Sequence, residues 1–479
     1  MRFLLTFFGL IYLSSCGIIP DYHSPKPTIE PPLAWSSSPS QSTLEPQPWL
    51  DEFNDPQLNK LIDEALLYNY DLQAVFARIS AAKALSRING ANRFPQLSAD
   101  IRGKRSQRNS TGGFNISSSR SNTFGVDFIL SWELDVWGKL QNRSEAAEQD
   151  FVSSEMDYRA ARLSLAANVA SSWFNSIETH QQFQLAEKKV KAFQLTRLII
   201  QDGFENGINS ALALHLARAN VAGAKSQQDA RQVDYDNAVR SLEILLGRYP
   251  DAQLVTGNTL PELNKHLAVG LPRALLRRRP DVLAAERRLI AADLRFTAAW
   301  KNLLPTFSFA TSGGTNAGQL SDIFNYETLI WNIMGNLTQP IFQGGRLIAE
   351  KDQADAQTLE AAANYAQAIL QAYYEVEAAL TSEHLLNSQQ QSLQLATNES
   401  IEAEQLALEE YSSGLIEMVT LLEAQRRSYE AQSALLQISN QRLLNRITLY
   451  LALGGNLHYE PVRQEPLNES FFFRLFSQL

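Results

Sequence analysis

Three kinds of hydrophobic pattern follow one another along the chain, and the series occurs twice. From Asp55-Pro56, apolar residues fall at Leu58, Leu61, Ile62, Ala65 and Leu66, the spacing of one helix face. The pattern predicts a helix to about Arg93, with a break at Tyr68–Asp71. At Pro95 the period changes to two. Leu97, Ala99 and Ile101 alternate with Ser98, Asp100 and Arg102, which predicts a strand over about 95–103. The stretch from Lys104 to Ser121 is rich in Ser, Arg, Asn and Gly and predicts an exposed loop. Phe124, Val126, Phe128, Leu130, Trp132 and Leu134 then alternate with Gly125, Asp127, Ser131, Glu133 and Asp135. A strand over about 123–136 follows, with one greasy aromatic face and one charged face that only Ile129 interrupts. A proline-free helical stretch runs from about Lys139 to Asp202, turns near Gly207, and returns as a shorter helix to Gly247.

The second half repeats the first at an offset of about 207 residues. Gly138-Lys139-Leu140 answers to Gly345-Arg346-Leu347, and Phe204, Gly207, Ala217 and Gly247 answer to Tyr411, Gly414, Ala424 and Gly454. Strands are predicted over about 305–312, where Phe307 and Phe309 alternate with Thr306 and Ser308, and over about 328–342, where Leu329, Trp331, Ile333, Leu337 and Ile341 share a face. A second proline-free helix runs from about Arg346 to Tyr411. At 1.5 Å per residue each long helix measures about 95 Å. Ile369, Ala372, Val376 and Ala379 keep the 3-4-3 spacing of a coiled-coil seam. The organisation expected is a first repeat over 49–250, a second over 251–460 and a tail over 461–479. The fold class is mainly α, with four bilayer-length strands and two long helical hairpins per chain. Internal symmetry of this extent serves an assembly.

Four membrane strands cannot close a barrel, because an open edge in lipid leaves backbone groups unpaired at several kcal/mol each. Outer-membrane barrels begin at about eight strands, so the chain must associate. A dimer or a trimer would give eight or twelve strands, and the polar face of residues 125–135 suits a wet lumen.

The first residues add an address. Arg2 and the apolar stretch Phe3–Leu13 read as a signal peptide over 1–15, ending in Leu13-Ser14-Ser15-Cys16, the form of a bacterial lipobox. Cys16, the only cysteine, is the expected site of a covalent lipid. Gly17, where an Asp would hold a lipoprotein in the inner membrane, favours the outer one. Residues 16–48, rich in Pro and Ser, predict an extended tether. Of the 479 residues 19% are charged, and the net charge of −9 argues against nucleic acid as a partner. The six histidines are scattered, with no HExxH pair, Walker loop or Gly-x-Ser-x-Gly elbow. No catalytic residue, metal ligand or dissociable cofactor is therefore expected, and the chain is read as a non-enzyme. Arg277-Arg278-Arg279 precedes a helix start at Pro280, with Asp281 and Glu286 as nearby counter-charges, so the segment is read as structural. Trp132, Trp137 and Trp331 are assigned to a membrane-interface aromatic belt.

Several segments carry a family resemblance: Trp49 with Asp55-Pro56 and Leu58; Ser131-Trp132-Glu133-Leu134-Asp135-Val136-Trp137-Gly138-Lys139; Gly270-Leu271-Pro272 running into Leu275 to Asp281; Tyr411 and Gly414 followed by Leu422-Glu423-Ala424-Gln425-Arg426; and Leu451-Ala452-Leu453-Gly454-Gly455. The chain resembles the TolC/OprM outer-membrane efflux proteins, in their lipoprotein (NodT-type) branch. The resemblance implies a homotrimer with a twelve-stranded barrel in the outer membrane and a periplasmic α-barrel. It implies as partners a periplasmic adaptor (membrane fusion) protein and an inner-membrane pump of the RND type. The function implied is a passive, gated duct for drugs or other toxic small molecules, with the outlet of a type I protein-secretion system as the alternative. In the family the hairpin tips form the aperture and adaptor contact. Here these are Gly207, Asn209 and Ser210 in the first hairpin and Gly414, Ile416 and Glu417 in the second. Glu417, with Glu205 on the approach, is the nearest match to the family's acidic ring.

Overall fold

The computed structural model describes residues 29, 32–37, 49–112, 115–263 and 271–455. Cys16, the tether up to residue 28 and the tail 461–479 lie outside the described residues. After a 3-10 turn at Trp49–Glu52, the elements are α1 (Pro56–Tyr68), α2 (Tyr70–Ala91), β1 (Gln96–Gly112), β2 (Asn115–Leu134), α3 (Lys139–Glu205), α4 (Ala211–Leu245), the short α5 (Pro272–Leu275), α6 (Pro280–Lys301), β3 (Thr306–Thr315), β4 (Leu329–Thr338), α7 (Arg346–Ser412) and α8 (Met418–Ala452). The repetition is metrical. Helices α3 and α7 have 67 residues each, α4 and α8 have 35 each, and α2 and α6 have 22 each.

The echoed glycines explain why the repeat survives at those positions. Gly207, Gly247, Gly414 and Gly454 all adopt φ between 74° and 81°. Each follows a helix and makes the same pair of bonds. At the first, the Gly207 N–H reaches the Phe204 carbonyl (3.1 Å) and the Ile208 N–H the Gly203 carbonyl (2.7 Å); at the third, Gly414 reaches Tyr411 (3.0 Å) and Leu415 reaches Glu410 (2.9 Å). This is the left-handed cap that ends a helix and satisfies its last carbonyls, and a side chain there is strained.

Contacts divide the chain into two compact units. The first takes Val75–Tyr158 and Asp281–Leu370; the second takes Pro31–Ala74, Arg159–Pro280 and Gln371 onward. Each unit thus draws on both sequence repeats. The first holds a four-stranded antiparallel sheet, in the order β1-β2-β3-β4. The second holds α4 and α8 with the C-terminal parts of α3, from Arg159, and of α7, from Gln371. Within it, Asp55 caps α1 by accepting from Gln57 N (2.9 Å) and Leu58 N (3.1 Å), and its other oxygen accepts from the Trp173 indole (2.7 Å). The Asp-Pro signature is therefore a cap that also docks α3. The seam residues Ile369, Ala372, Val376 and Ala379 are all buried.

Two expectations need correction. Residues 104–121 are not a loop: β1 and β2 pair in unbroken register from Gln96↔Ser131 to Gly112↔Asn115. This outer ribbon is polar on both faces, so it carries no period-two signal. Conversely, β4 ends at Thr338 rather than 342. Pro340 has no N–H to donate, and Ile341 and Phe342 lie exposed beyond the sheet.

Candidate functional site

The sheet's register brings one apolar face into line across all four strands, since directly opposed residues share a face. Leu134 pairs with Phe307 and Phe307 with Leu337; Trp132 with Phe309; Leu130 with Thr311 and Thr311 with Ile333; Phe128 with Gly313 and Gly313 with Trp331; Leu97, Ala99 and Ile101 stand opposite Leu130, Phe128 and Val126. The opposite face carries Ser98, Asp100, Arg102, Asp127, Ser131, Glu133, Ser308, Ser312, Asn332 and Asn336, interrupted by Ile129, Ile330 and Met334. On it, Arg102 donates to Asp127 through Nε at 3.1 Å and through a second, shorter bond. From Leu134 to Phe124 is ten residues, about 34 Å along a strand. Tilted by about 40°, that length gives a band about 26 Å high, the height of an outer-membrane barrel's apolar belt.

The two hairpins are joined at the β2–β3 seam by backbone closeness. At Gly314, opposite Asp127, an added Cβ would lie 2.3 Å from the Val126 carbonyl oxygen; at Gly125 it would lie 2.3 Å from that of Thr315. The helix-proximal end of the sheet is held by the Trp-Glu-Leu-Asp-Val-Trp-Gly-Lys segment. Asp135 accepts from Leu140 N (3.0 Å) and Gln141 N (2.7 Å), so its charge sits on the N-terminus of a 67-residue helix. Glu133 pairs with Lys139 at 2.5 Å. Trp137 donates to the Pro305 carbonyl (2.7 Å), and Trp132 to that of Arg93 (3.0 Å). Lys301, buried at the same junction, reaches Asn142 Oδ1 (3.2 Å). Burial pulls its pKa down, against the opposing pull of Asp135 and Glu145. Trp331 is the third residue of β4 and is exposed.

At the far ends of the helices the predicted tip residues divide into two kinds. Asn209 and Ser210 are engaged structurally. Asn209 donates to the Ile200 carbonyl (3.2 Å) and accepts from the Tyr411 hydroxyl (3.4 Å), linking the two hairpins. Ser210 caps α4 through Ala213 N (3.2 Å). Glu417 occupies the equivalent cap position of α8 without a side-chain cap bond and is exposed, beside the half-buried Ile416. Gly207 and Gly414 are exposed at the turns. Beneath them a small core of Ile200, Ala213, Leu214, Ala217 and Met418, with Tyr411 and Leu422, packs one hairpin on the other.

Asp202, Glu409 and Glu410 are further exposed acids at this end. With Glu205 they lie in the last turns of α3 and α7, where the helix dipole disfavours negative charge by about 0.3–1 kcal/mol each. Between Arg197 and Arg218, and between Lys351 and Arg426, the sequence has no Lys or Arg. That gap in positive charge was the legible signal for an acidic end broader than Glu417 alone. The field is closed off at Arg426 and Arg427, which both bond Glu423 at 2.7 Å and hold its carboxyl down to about 2. Deeper in this unit, burial moves neighbouring groups the other way. Tyr429 is pushed up to about 12, with the Glu404 charge adding to the effect, and Lys189 is lowered.

Of the Arg277–Arg279 segment, Arg279 has a structural role, while Arg277 and Arg278 are exposed. Arg279 is buried and donates to Glu375 (2.6 Å) and to the Ala452 carbonyl at the end of α8 (3.2 Å). These partners come from the second half of the chain and are invisible in the local sequence.

Known proteins share this architecture over nearly the whole chain. The family profile described as "Outer membrane efflux protein" matches residues 61–248 and 271–455. The chain is 31% identical over 458 residues to the cation efflux system protein CusC of Escherichia coli (strain K12), covering 94% of this chain and 99% of CusC. It is 30% identical to the outer membrane protein OprJ of Pseudomonas aeruginosa, covering 92% of this chain and 93% of OprJ. Among solved structures, the open state of the Neisseria gonorrhoeae MtrE outer membrane channel superposes with a TM-score of 0.80 at 29% identity, covering 92% of this chain and 98% of MtrE. With two profile matches spanning most of the chain, and relatives and solved channels aligned nearly end to end, the chain belongs to the outer membrane efflux protein family.

Proposed function

We propose that this outer-membrane efflux channel works as a homotrimer that passes small cargo, cations among it, from a periplasmic adaptor and an inner-membrane pump of the RND type to the exterior. The observation that carries this reading is the sheet. It has one continuous apolar face, one polar face and two open edges, β1 and β4. In lipid those edges must pair with other copies of the chain, and three copies give a twelve-stranded barrel with a wet lumen. Trp132 then lies near the helix-proximal end of the belt, and Trp331, in the row of Phe128 and Gly313, lies nearer its middle. The relatives matched here are efflux components rather than secretion outlets, so the secretion alternative is set aside.

The acidic tips give the duct a charge preference. Carboxylates around a narrow aperture concentrate cations and repel anions. The purified chain in planar bilayers is expected to conduct and to prefer cations, as read from the reversal potential in a salt gradient. Glu409→Gln, Glu410→Gln and Glu417→Gln together should move that potential toward zero. A preparation that does not conduct would remove the channel reading, and an unchanged potential in the triple variant would remove the role of the tips.

Cys16 is proposed to carry the lipid. Cys16→Ser should lose the covalent lipid, seen as a mass difference, yet remain in the outer-membrane fraction because the barrel holds it there. A variant found wholly soluble in the periplasm would contradict the barrel.

A further inference from the structure

The polar ribbon that the β1–β2 hairpin extends past β3 and β4 has a charge pattern of its own. From Gly103 to Val126 the chain carries Lys104, Arg105, Arg108 and Arg120 and no Asp or Glu. Arg102 has Asp127 as its partner, whereas none of these four forms an ion pair among the described residues. All four are exposed. The register divides them by face. Gly103↔Phe124 is the last row of the apolar face; the next two rows on that face are Arg105↔Asn122 and Gln107↔Arg120. Lys104 and Arg108 lie on the opposite, lumen-side face.

Phe124 lies over Gly103, an aromatic at the outer limit of the band. One row further out the same face becomes cationic. Arg105 and Arg120 are diagonal neighbours across the ribbon, a relation that places side chains about 7–8 Å apart. The Arg120 Nε donates to Gln107 Oε1 (3.0 Å), which fixes its guanidinium on that face. Two guanidiniums this close, with no carboxylate between them, repel each other unless an anion bridges them. Guanidinium is suited to phosphate, which it binds through two parallel hydrogen bonds.

We infer that Arg105 and Arg120 form a clamp on the barrel's outer wall for a phosphate group of the phosphorylated glycolipid in the outer leaflet. The inference rests on the membrane reading above, which makes this face the lipid-facing one and this end the exterior. A phosphate at the headgroup level meets the clamp directly above the apolar band, so the same molecule lays its acyl chains on Phe124, Val126 and Ile101.

The test uses the detergent-solubilised full chain titrated with bisphosphorylated lipid A and, in parallel, with dephosphorylated lipid A. Each preparation is also assayed for conductance in planar bilayers. The phosphorylated lipid should bind the wild-type chain on the order of tenfold more tightly than the dephosphorylated one. Arg105→Gln with Arg120→Gln should abolish that difference, while Lys104→Gln with Arg108→Gln, on the other face, should keep it. Equal binding of the two lipids by the wild-type chain would overturn the inference without any variant, because it is the result expected if the acyl chains alone were recognised. A difference that persists in the outer-face variant, or disappears in the inner-face one, would overturn it as well. A conducting protein that ignores the phosphates sinks only the clamp, whereas absence of conductance sinks the membrane reading beneath it.

Discussion

Arg446→Leu should lower the stability of the folded chain by about 3–5 kcal/mol, the cost of breaking a buried ion pair from one side. Arg446 is 2% exposed. Its Nη2 donates to Glu383 at 2.7 Å, and its Nη1 stands 3.7 Å from Glu52 Oε1, too far for a hydrogen bond but within ion-pair range. Glu383 would keep Arg442 at 3.3 Å. Among the described residues Glu52 would keep only the Tyr450 hydroxyl, which donates to its other oxygen. Burial, with the Glu52 carboxylate beside it, raises the Tyr450 pKa and keeps that hydroxyl protonated. The variant therefore leaves one buried carboxylate without a cation. Around it Trp49 packs on Tyr450 and on Phe53 (centroids 6.1 Å apart in each case), and Phe53 packs on Phe174 (5.0 Å), so water cannot readily take the place of the arginine. The check is the denaturation midpoint of the detergent-solubilised chain. Adding Glu52→Gln to Arg446→Leu should recover much of the loss, because it removes the orphaned charge. A double variant no more stable than Arg446→Leu alone would show that the loss comes from packing and not from charge.

Gly314→Val should prevent the two β-hairpins from forming one sheet and reduce membrane-inserted protein by about tenfold or more, from an overpacking cost of about 3 kcal/mol taken up by backbone. The reason lies in what the added carbon meets. It would fall 2.3 Å from the Val126 carbonyl oxygen and 2.7 Å from the Asp127 Cα, and neither can rotate away. Gly335, in β4 of the same sheet, has nothing within 4 Å of its Cβ position. Gly335→Val should therefore insert normally. The comparison is made in outer-membrane fractions and in conductance per unit of protein. If both variants inserted equally well, the close approach at the β2–β3 seam would not be limiting.

How much of this was legible before folding differs from element to element. The long helices were plain, because α3 and α7 run 67 residues each without a proline and each ends at a glycine turn. The break at Asn69 was also legible. The Asn69 carbonyl side-chain oxygen accepts from Leu72 N (2.9 Å), starting α2 within one residue of the end of α1. The outer ribbon was missed for the converse reason. Residues 104–121 are almost all polar or glycine at odd and even positions alike, and such a strand leaves no alternation to find. At the tips, Asn209 and Ser210 could be named from the hairpin turn. Their engagement with Ile200, Tyr411 and Ala213 could not, since it depends on where the second hairpin lies.

By itself the sequence determined the duplication, the helical hairpins, the amphipathic strands and the need for association. These follow from local periodicity, from its recurrence about 207 residues on and from the cost of unpaired backbone in lipid, none of which depends on which distant residues meet. Only the tertiary structure decided the strand register that joins the two halves at Gly314, and the partners of Arg279 and Arg446. It alone separated Arg105 and Arg120 from Lys104 and Arg108, on opposite faces of one ribbon. Each of these depends on which residues, distant in sequence, stand opposite one another, and a one-residue slip in pairing would have reversed every face.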